Sequence, residues 1–473
     1  MTTLIPSMAV DVPGLGLEHE RALEVLLMQI MQKSSRNALR RRYYDGKNAL
    51  RDLGIAIPPQ LRKVETVVGW PAKGVDVLSR RITFDSFSLA GGDPASLGVD
   101  ALWDANRLDI EAPQAHTSAL IHSAAFLATT TGDVQSGDPA VLITARSAQY
   151  ATGIWDQRRR GLSSALSIIS IDALGRPDYM VMYLPDTAII MRREGMNWDL
   201  RESRHALGHV PVEPLVFRPE LDRPFGHSRI SRAVMSLTDS ALRTLLRTEV
   251  SAEFYSAPQR YALGADENSF IDASGNQIPA WQAIIGRMLA IGRDEDGNVP
   301  TVGQFPQQSM APHIEQMREL ASLFAAETDL MPDTMGVIQE NPSSAEAIEQ
   351  RKEELRLTAE ACITSFGASW ERTMRTGLTM LDSSPAALAE YARLRANFRN
   401  PSTPSMASSA DATTKLVAAG VLSPTSEVTY DGLNFSERQR EILRAEARRA
   451  RSTTMLASLT APVPAMVPDG IAI

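Results

Sequence analysis

A single cysteine, Cys362, is the only thiol in this chain of 473 residues. One thiol forms no intramolecular disulfide and supports no cysteine-rich zinc site. Its place inside a helical pattern makes it a small apolar packing residue. No apolar run approaches the ~18–20 residues that a bilayer crossing requires, so no membrane partner is expected. The opening "MTTLIPSMAVDVPGLGLEHE" has neither a basic n-region nor a continuous apolar h-region, and secretion is not expected from it. Bases are also short: Lys plus Arg total 48 against 56 Asp plus Glu, a formal net charge of -8. A protein that grips nucleic acid with its whole surface has the opposite balance.

Catalytic signatures are missing too. There is no G-x-x-x-x-G-K-[ST], hence no phosphate-cradling loop and no basis for nucleotide hydrolysis. No H-E-x-x-H occurs, and the seven histidines are scattered. His116 and His122, six apart, do not share a helical face that could hold a metal. No serine lies in a G-x-S-x-G elbow. "DEDGN" at 294–298 opens like a calcium loop but lacks the glutamate that closes one. Glu353 and Glu354 lie among lysine and arginine on a helix, as a solvated face does. No enzyme, cofactor or metal is expected.

What is present is a sequence of helices interrupted by one β region. Leu17, Ala22, Val25, Leu26, Ile30 and Met31 recur at helical spacing over 17–45, closed by "RNALRRRYY". Further helices are expected around 68–82, over 98–108 and over the alanine-rich 112–130. From 139 the runs "PAVLITARSAQYATGIWD", "ALSIISID", "DYMVMYLPDTAIIMRRE" and "VPVEPLVFRPE" predict short antiparallel strands. Helical phase returns from Ser228, within the turn "RPFGHSRISR", with Ile230, Val234, Leu237, Leu242, Leu245 and Leu246. In that turn Gly226 is expected to take a backbone conformation closed to other residues, and Ser228 to cap the helix. His227 reads as a surface or packing residue. Residues 257–309 are polar loops around a helix at "AWQAIIGRMLA", and a helix follows at "PHIEQMRELASLFAAET". The longest element spans about 344–381, a rod of roughly 55 Å at 1.5 Å per residue. Its start is marked by Ser343 and Glu346 in capping-box relation. After the linker "NPSTPSMASSADAT" come small helices at "ATTKLVAAG", closed by Gly420, and at "SERQREILRAEARRARS".

Charge is distributed unevenly. Between Arg318 and Arg351 there is no lysine or arginine, while Glu319, Glu327, Asp329, Asp333, Glu340, Glu346 and Glu349 fall there. Gly336 is the one glycine pivot in the turn "DLMPDTMGVIQENP". The helix at 436–451 has the opposite bias, with Arg438, Arg440, Arg444, Arg448 and Arg449 forming a net positive patch.

The segments "YYDGKNALRDLGIAIPPQLRK", "VGWPAKGVDVLSRRI", "RPFGHSRISRAVMSLTDSALR" and "TDLMPDTMGVIQENPSSAEAIEQRKEEL" resemble, in this order, the portal proteins of tailed bacteriophages. The resemblance runs from about residue 20 to 455. It implies an α+β, mostly helical portal fold with wing, stem, clip and crown regions, assembling into a ring, usually of twelve copies. By segment, 1–227 is the wing, 228–256 and 311–332 the stem, and 257–310 the clip. Residues 333–343 are then the tunnel loop, 344–382 the long helix that follows it, and 383–473 the crown and tail. The function implied is a channel at one capsid vertex that passes double-stranded DNA during packaging and ejection. The implied partners are the terminase large subunit, a head–tail connector or adaptor, and the major capsid and scaffold proteins. The implied location is the virion, after assembly in the host bacterial cytoplasm. On this footing Met335, Val337, Ile338, Gln339 and Glu340 face DNA, and Glu319, Glu327, Asp329 and Asp333 line the channel. Asp266, Glu267, Asp294, Glu295 and Asp296 present the clip to terminase or connector, and the arginine patch meets DNA in the crown. The loop has no basic residue, unlike many family members. The alternative is a nucleic-acid-processing enzyme of a packaging complex, which needs clustered carboxylates or a phosphate loop.

Overall fold

The computed structural model describes residues 12–48, 66–90, 92, 94–195, 197–256, 260–263, 301–304, 310–337, 345–402, 406–433, 435, 439, 442–447 and 449. They form two compact units, Met1–Pro401 and Ser402–Ile473.

The first unit mixes helix and sheet in layers. Helix α1 (Leu17–Tyr44) buries Leu23, Leu26, Leu27 and Ile30, a stripe at three- and four-residue steps. That stripe lies on an antiparallel sheet of β4 (Ala151–Asp156), β5 (Gly161–Ile171), β6 (Pro177–Tyr183), β7 (Thr187–Glu194) and β8 (Asn197–Arg204), paired in chain order. Side chains of a strand alternate between faces. Leu166, Ile168, Met180, Met182, Ile189 and Met191 therefore meet α1, while Ala165, Val181, Tyr183 and Ala188 point the other way.

This second face packs on a smaller sheet ordered β3 (Val141–Ser147), β2 (Ala124–Thr131), β9 (Val212–Val216). β2 is its centre strand. Ala124, Phe126 and Ala128 turn toward the large sheet, and Ala125 and Leu127 toward the main core. There they meet α4 (Leu108–His122) and the long helix α7 (Ala345–Leu381), whose Leu355, Ala359, Cys362, Phe366, Trp370, Met374 and Leu378 are all buried. Cys362 is thus a packing residue, and burial pushes its thiol up to about 12.

The expected helix over 112–130 is corrected by this arrangement. It stops at His122, Ser123 takes a positive φ of 83°, and 124–131 continue as strand. Small alanines suit a strand compressed between two layers, and hydrogen bonds to β3 and β9 outweigh their helical preference. The chain also pairs β1 (Phe84–Leu89) with β12 (Leu394–Phe398), neither of which the hydrophobic pattern announces. This pairing draws α8 (Pro385–Tyr391) and β12 into the first unit, so the units divide after Pro401, past the sequence break at 383.

Shorter elements complete the first unit. α2 (Trp70–Ser79) and α3 (Val99–Ala105) flank β1, and β10 (Arg260–Leu263) pairs with β11 (Thr301–Gln304). α5 (Arg232–Ser256) and α6 (Ala311–Glu327) form an antiparallel hairpin around Ala241, Leu242, Leu245, Met317 and Leu320.

In the second unit α9 (Met406–Ala418) packs on α10 (Glu427–Gly432), with Thr413, Thr429 and Tyr430 buried. Gly420 ends α9 at a φ of 72°, as its position predicts.

Candidate functional site

The turn "RPFGHSRISR" is where the first unit concentrates its buried polar chemistry. Gly226 has a φ of 59°, and a Cβ there would stand 2.1 Å from the Phe217 carbonyl oxygen. Only glycine fits this approach. Ser228 does not cap α5. Its hydroxyl donates to the Ile121 carbonyl at 2.6 Å and accepts from the Ile230 N–H. The cap is Ser231, one turn nearer the helix, whose Oγ accepts from the Val234 N–H at 3.1 Å and donates to Glu327 at 2.9 Å. His227 lies at the surface and pairs with Glu220 at 3.0 Å.

Between these serines stands Arg229, with a side chain 3% exposed. Its Nη1 donates to Asp329 at 2.9 Å, its Nη2 to the Thr328 carbonyl, and its Nε to the Gly74 carbonyl at 3.4 Å. Arg218 reaches the same carboxylate at 3.6 Å, and the Thr358 hydroxyl donates to it at 3.1 Å. Burial pulls the Arg229 pKa below its ordinary value, with Asp329 opposing, and an arginine so placed keeps its charge. One guanidinium thus joins α2, the end of α6 and the base of α5, and through Asp329 also α7. Asp329 takes a positive φ of 51°, which asparagine and aspartate tolerate better than most residues. The backbone reverses there and enters a 3-10 turn at Pro332–Met335, closed by Gly336 at a φ of 83°. The root of the turn between α6 and α7 is therefore clamped.

Of the residues read as channel lining, Glu319 and Asp333 are exposed, and Glu327 is exposed and holds Ser231. Asp329 is half-buried and neutralised by Arg229, which takes it out of the set of free charges. Met335 is half-buried against the main core, and Val337 is half-buried with its N–H donated to the Pro332 carbonyl at 3.2 Å. Ile338, Gln339, Glu340, Ser343, the clip acids Asp266, Glu267, Asp294, Glu295 and Asp296, "DEDGN" and "AWQAIIGRMLA" lie outside the described residues. So do Arg438, Arg440 and Arg448. Arg444 and Arg449 fall on helical turns, half-buried and exposed respectively.

The buried histidines are structural. His116 bonds the Ile82 carbonyl through Nδ1 at 3.2 Å and accepts from the Trp370 indole N–H through Nε2 at 2.9 Å. Burial lowers its pKa to about 4, so the ring is neutral and both nitrogens are engaged. Among the described residues no cluster of histidine, cysteine and carboxylate could hold a metal ion. No described helix is long and apolar enough to cross a membrane.

The sequence reading passed over Arg229, the residue that organises this site. No helical phase marks it, because Arg229 stands ahead of α5, beside the buried Ile230.

A family model described as "Phage portal protein, SPP1 Gp6-like" matches residues 27–451. The chain belongs to the phage portal protein family. Two curated portal-family relatives, the portal proteins of Mycobacterium phages L5 and D29, are each 29% identical over 411 residues, covering 85% of this chain and 83% of theirs. Among solved structures, a chain from the neck of an empty gene transfer agent particle aligns at a TM-score of 0.45 and 14% identity, over 85% of this chain and 93% of that one. A chain of the native gene transfer agent virion aligns at 0.42 and 14%, over 77% and 89%.

Proposed function

We propose that copies of this chain close into a ring, twelve by family habit, around a channel at one capsid vertex. Double-stranded DNA passes through it during packaging and ejection. The match to the portal family over residues 27–451 carries this reading. The ring acts as a passive conduit in the virion, and another component, the terminase large subunit, supplies the energy. The α5/α6 hairpin is the stem, and 257–310 is the clip that meets terminase and later the head–tail connector. The turn from Pro332 onward is the tunnel loop, and the second unit contributes to the crown.

A conduit works by not binding its cargo. Phosphate contacts accumulate into affinity that every step of translocation would have to break. The span between Arg318 and Arg351, free of bases, supplies a negative collar when repeated around a ring. The Arg229–Asp329 clamp fixes the backbone from which the loop sets out. Upstream of Met331 the backbone is held by buried polar bonds, and Gly336 closes the 3-10 turn at a positive φ. The test is negative-stain microscopy of the purified chain under low-salt assembly conditions. Rings with an axial hole about as wide as a DNA duplex support the reading, and a chain that stays monomeric in every buffer contradicts it.

A further inference from the structure

The chain holds two runs of three arginines, Arg40–Arg42 and Arg158–Arg160. The first lies on α1, where successive side chains diverge by about 100°. There Arg40 is half-buried and donates to the His122 carbonyl at 3.0 Å, and Arg41 holds Asp45 at 3.0 Å. The second run belongs to the turn between β4 and β5, residues 157–160, all of which are exposed. Arg158 and Arg160 form no ion pair among the described residues, and Arg159 approaches Asp156 only to 4.0 Å. Three guanidinium groups thus share one hairpin tip with one carboxylate, in a chain whose formal net charge is -8.

The tip is built to hold its shape. Asp156 Oδ1 accepts from the Arg158 N–H at 2.8 Å and from the Arg159 N–H at 3.1 Å. The Asp156 carbonyl accepts from the Arg160 N–H at 2.8 Å, and Asp156 pairs with Gly161 across the strands. The backbone N–H groups hold the Asp156 carboxyl below its ordinary pKa. They also commit that carboxylate to the backbone of the turn. Below the tip, Trp155 meets Phe225 edge-on at 6.3 Å and anchors β4. Arg160 closes the turn at a positive φ of 52°, a conformation that glycine takes without steric cost. Its side chain makes no bond among the described residues that would offset this strain. A residue kept in strained backbone with no internal partner points to a partner outside the chain.

We propose that the Arg158–Arg160 tip holds the phosphate backbone of double-stranded nucleic acid lying outside the channel. Guanidinium is a planar donor fork that matches a pair of phosphate oxygens and keeps its charge. Its attraction is local: charges are screened beyond ~10 Å at 0.1 M salt, so the acidic remainder of the chain does not cancel the tip. The place agrees with the chemistry. β4 and β5 belong to the large sheet, which the small sheet separates from the main core where Met335 rests. The base-free span and the arginine tip are therefore different parts of the first unit. The proposal takes the identity of the polyanion from the conduit reading and adds a holding contact away from the channel wall.

The test measures binding of a short fluorescein-labelled duplex to the full chain by anisotropy across a salt series. Arg158→Ala/Arg159→Ala/Arg160→Gly should weaken binding about tenfold or more at ~50 mM salt, and make the slope of log K against log[salt] shallower by about 2–3. Arg158→Lys/Arg159→Lys/Arg160→Lys keeps the charge and should keep the slope. Arg160→Gly alone should raise the melting temperature and lower the affinity, since it relieves strain and removes one contact. A parent chain that binds no duplex at low salt overturns the proposal. So does an Ala/Ala/Gly variant with the parent's affinity and slope, which leaves the duplex to other bases. A variant that keeps duplex binding but loses poly-glutamate binding overturns it too, and gives the tip to an acidic protein surface. Rings whose duplex binding ignores the tip overturn this contact and leave the conduit reading intact. Tip-dependent binding by a chain that never forms rings does the reverse.

Discussion

Arg229 and Arg243 lie on either side of the start of α5 and meet opposite circumstances. Arg229 is enclosed, with three groups of donors committed to Asp329, Thr328 and Gly74. Arg243 is half-exposed, and the hydroxyl it touches is Ser240, one turn back on its own helix. The first unit thus matches charge closely where water is excluded and leaves it unmatched on the outside of the hairpin. An enclosed pair gains directional hold on the segments it joins, although replacing it by apolar residues would cost little. An open charge adds almost nothing to folding and is available to a partner. Glu213 and Arg372 stand between these cases. They pair at 3.3 Å, with the carboxylate 13% exposed and the guanidinium 47% exposed.

The comparison is tested first at its enclosed end. Arg229→Ala leaves Asp329 with a half-buried, weakly compensated charge, and should cost about 3–5 kcal/mol in urea unfolding. Arg229→Met together with Asp329→Leu should recover most of that loss, and a single-variant cost below ~1 kcal/mol would break the contrast with Arg243.

Glu213 sharpens the middle case through pH. Burial raises its pKa from 4.5 to about 7, with Arg372 opposing. Below about 4.5 both folded and unfolded forms are protonated, and the group contributes no difference. Between 4.5 and about 7 the folded form keeps a proton that the unfolded form has released, so stability falls as pH rises. Above that window the full penalty applies, on the order of 3 kcal/mol at ~1.4 kcal/mol per pKa unit. Glu213→Gln should flatten this slope, and parallel pH profiles for parent and variant would contradict it.

Smaller effects follow at the helix start and on the open face. Ser231→Ala removes the α5 cap and the bond to Glu327, and should cost about 1 kcal/mol, whereas Ser228→Ala should leave the melting of α5 unaffected as a cap. Arg247→Ala should shift folding stability by no more than ~0.5 kcal/mol. A larger folding effect would mean that Arg247 has an intramolecular role.

The same contrast between local and distant partners explains what could be read from the sequence. The strands from 139 onward were legible because their side chains alternate between two buried layers, one meeting α1 and the other the small sheet. The strand at 124–131 was not, because "AAFLATT" continues the small-residue texture of α4 and one of its two partners, β9, lies far along the chain. Gly226 announced itself by type, since a turn before a helix has few other uses for glycine. The cap was misplaced from Ser231 to Ser228 because both serines precede the apolar phase, and only the distant Ile121 carbonyl distinguishes them. Arg229 and Asp329 are separated by a whole hairpin, and no local pattern links them. The acid-rich span was visible as a count. The count did not reveal that Asp329 is neutralised within the chain.

The proposal made above is that this chain lines a channel with the turn that follows the Arg229–Asp329 clamp. A reconstruction of the assembled particle by cryo-electron microscopy tests it most directly. The account predicts Pro332–Gly336 at the inner wall. Density placing that turn on the outer rim would contradict it.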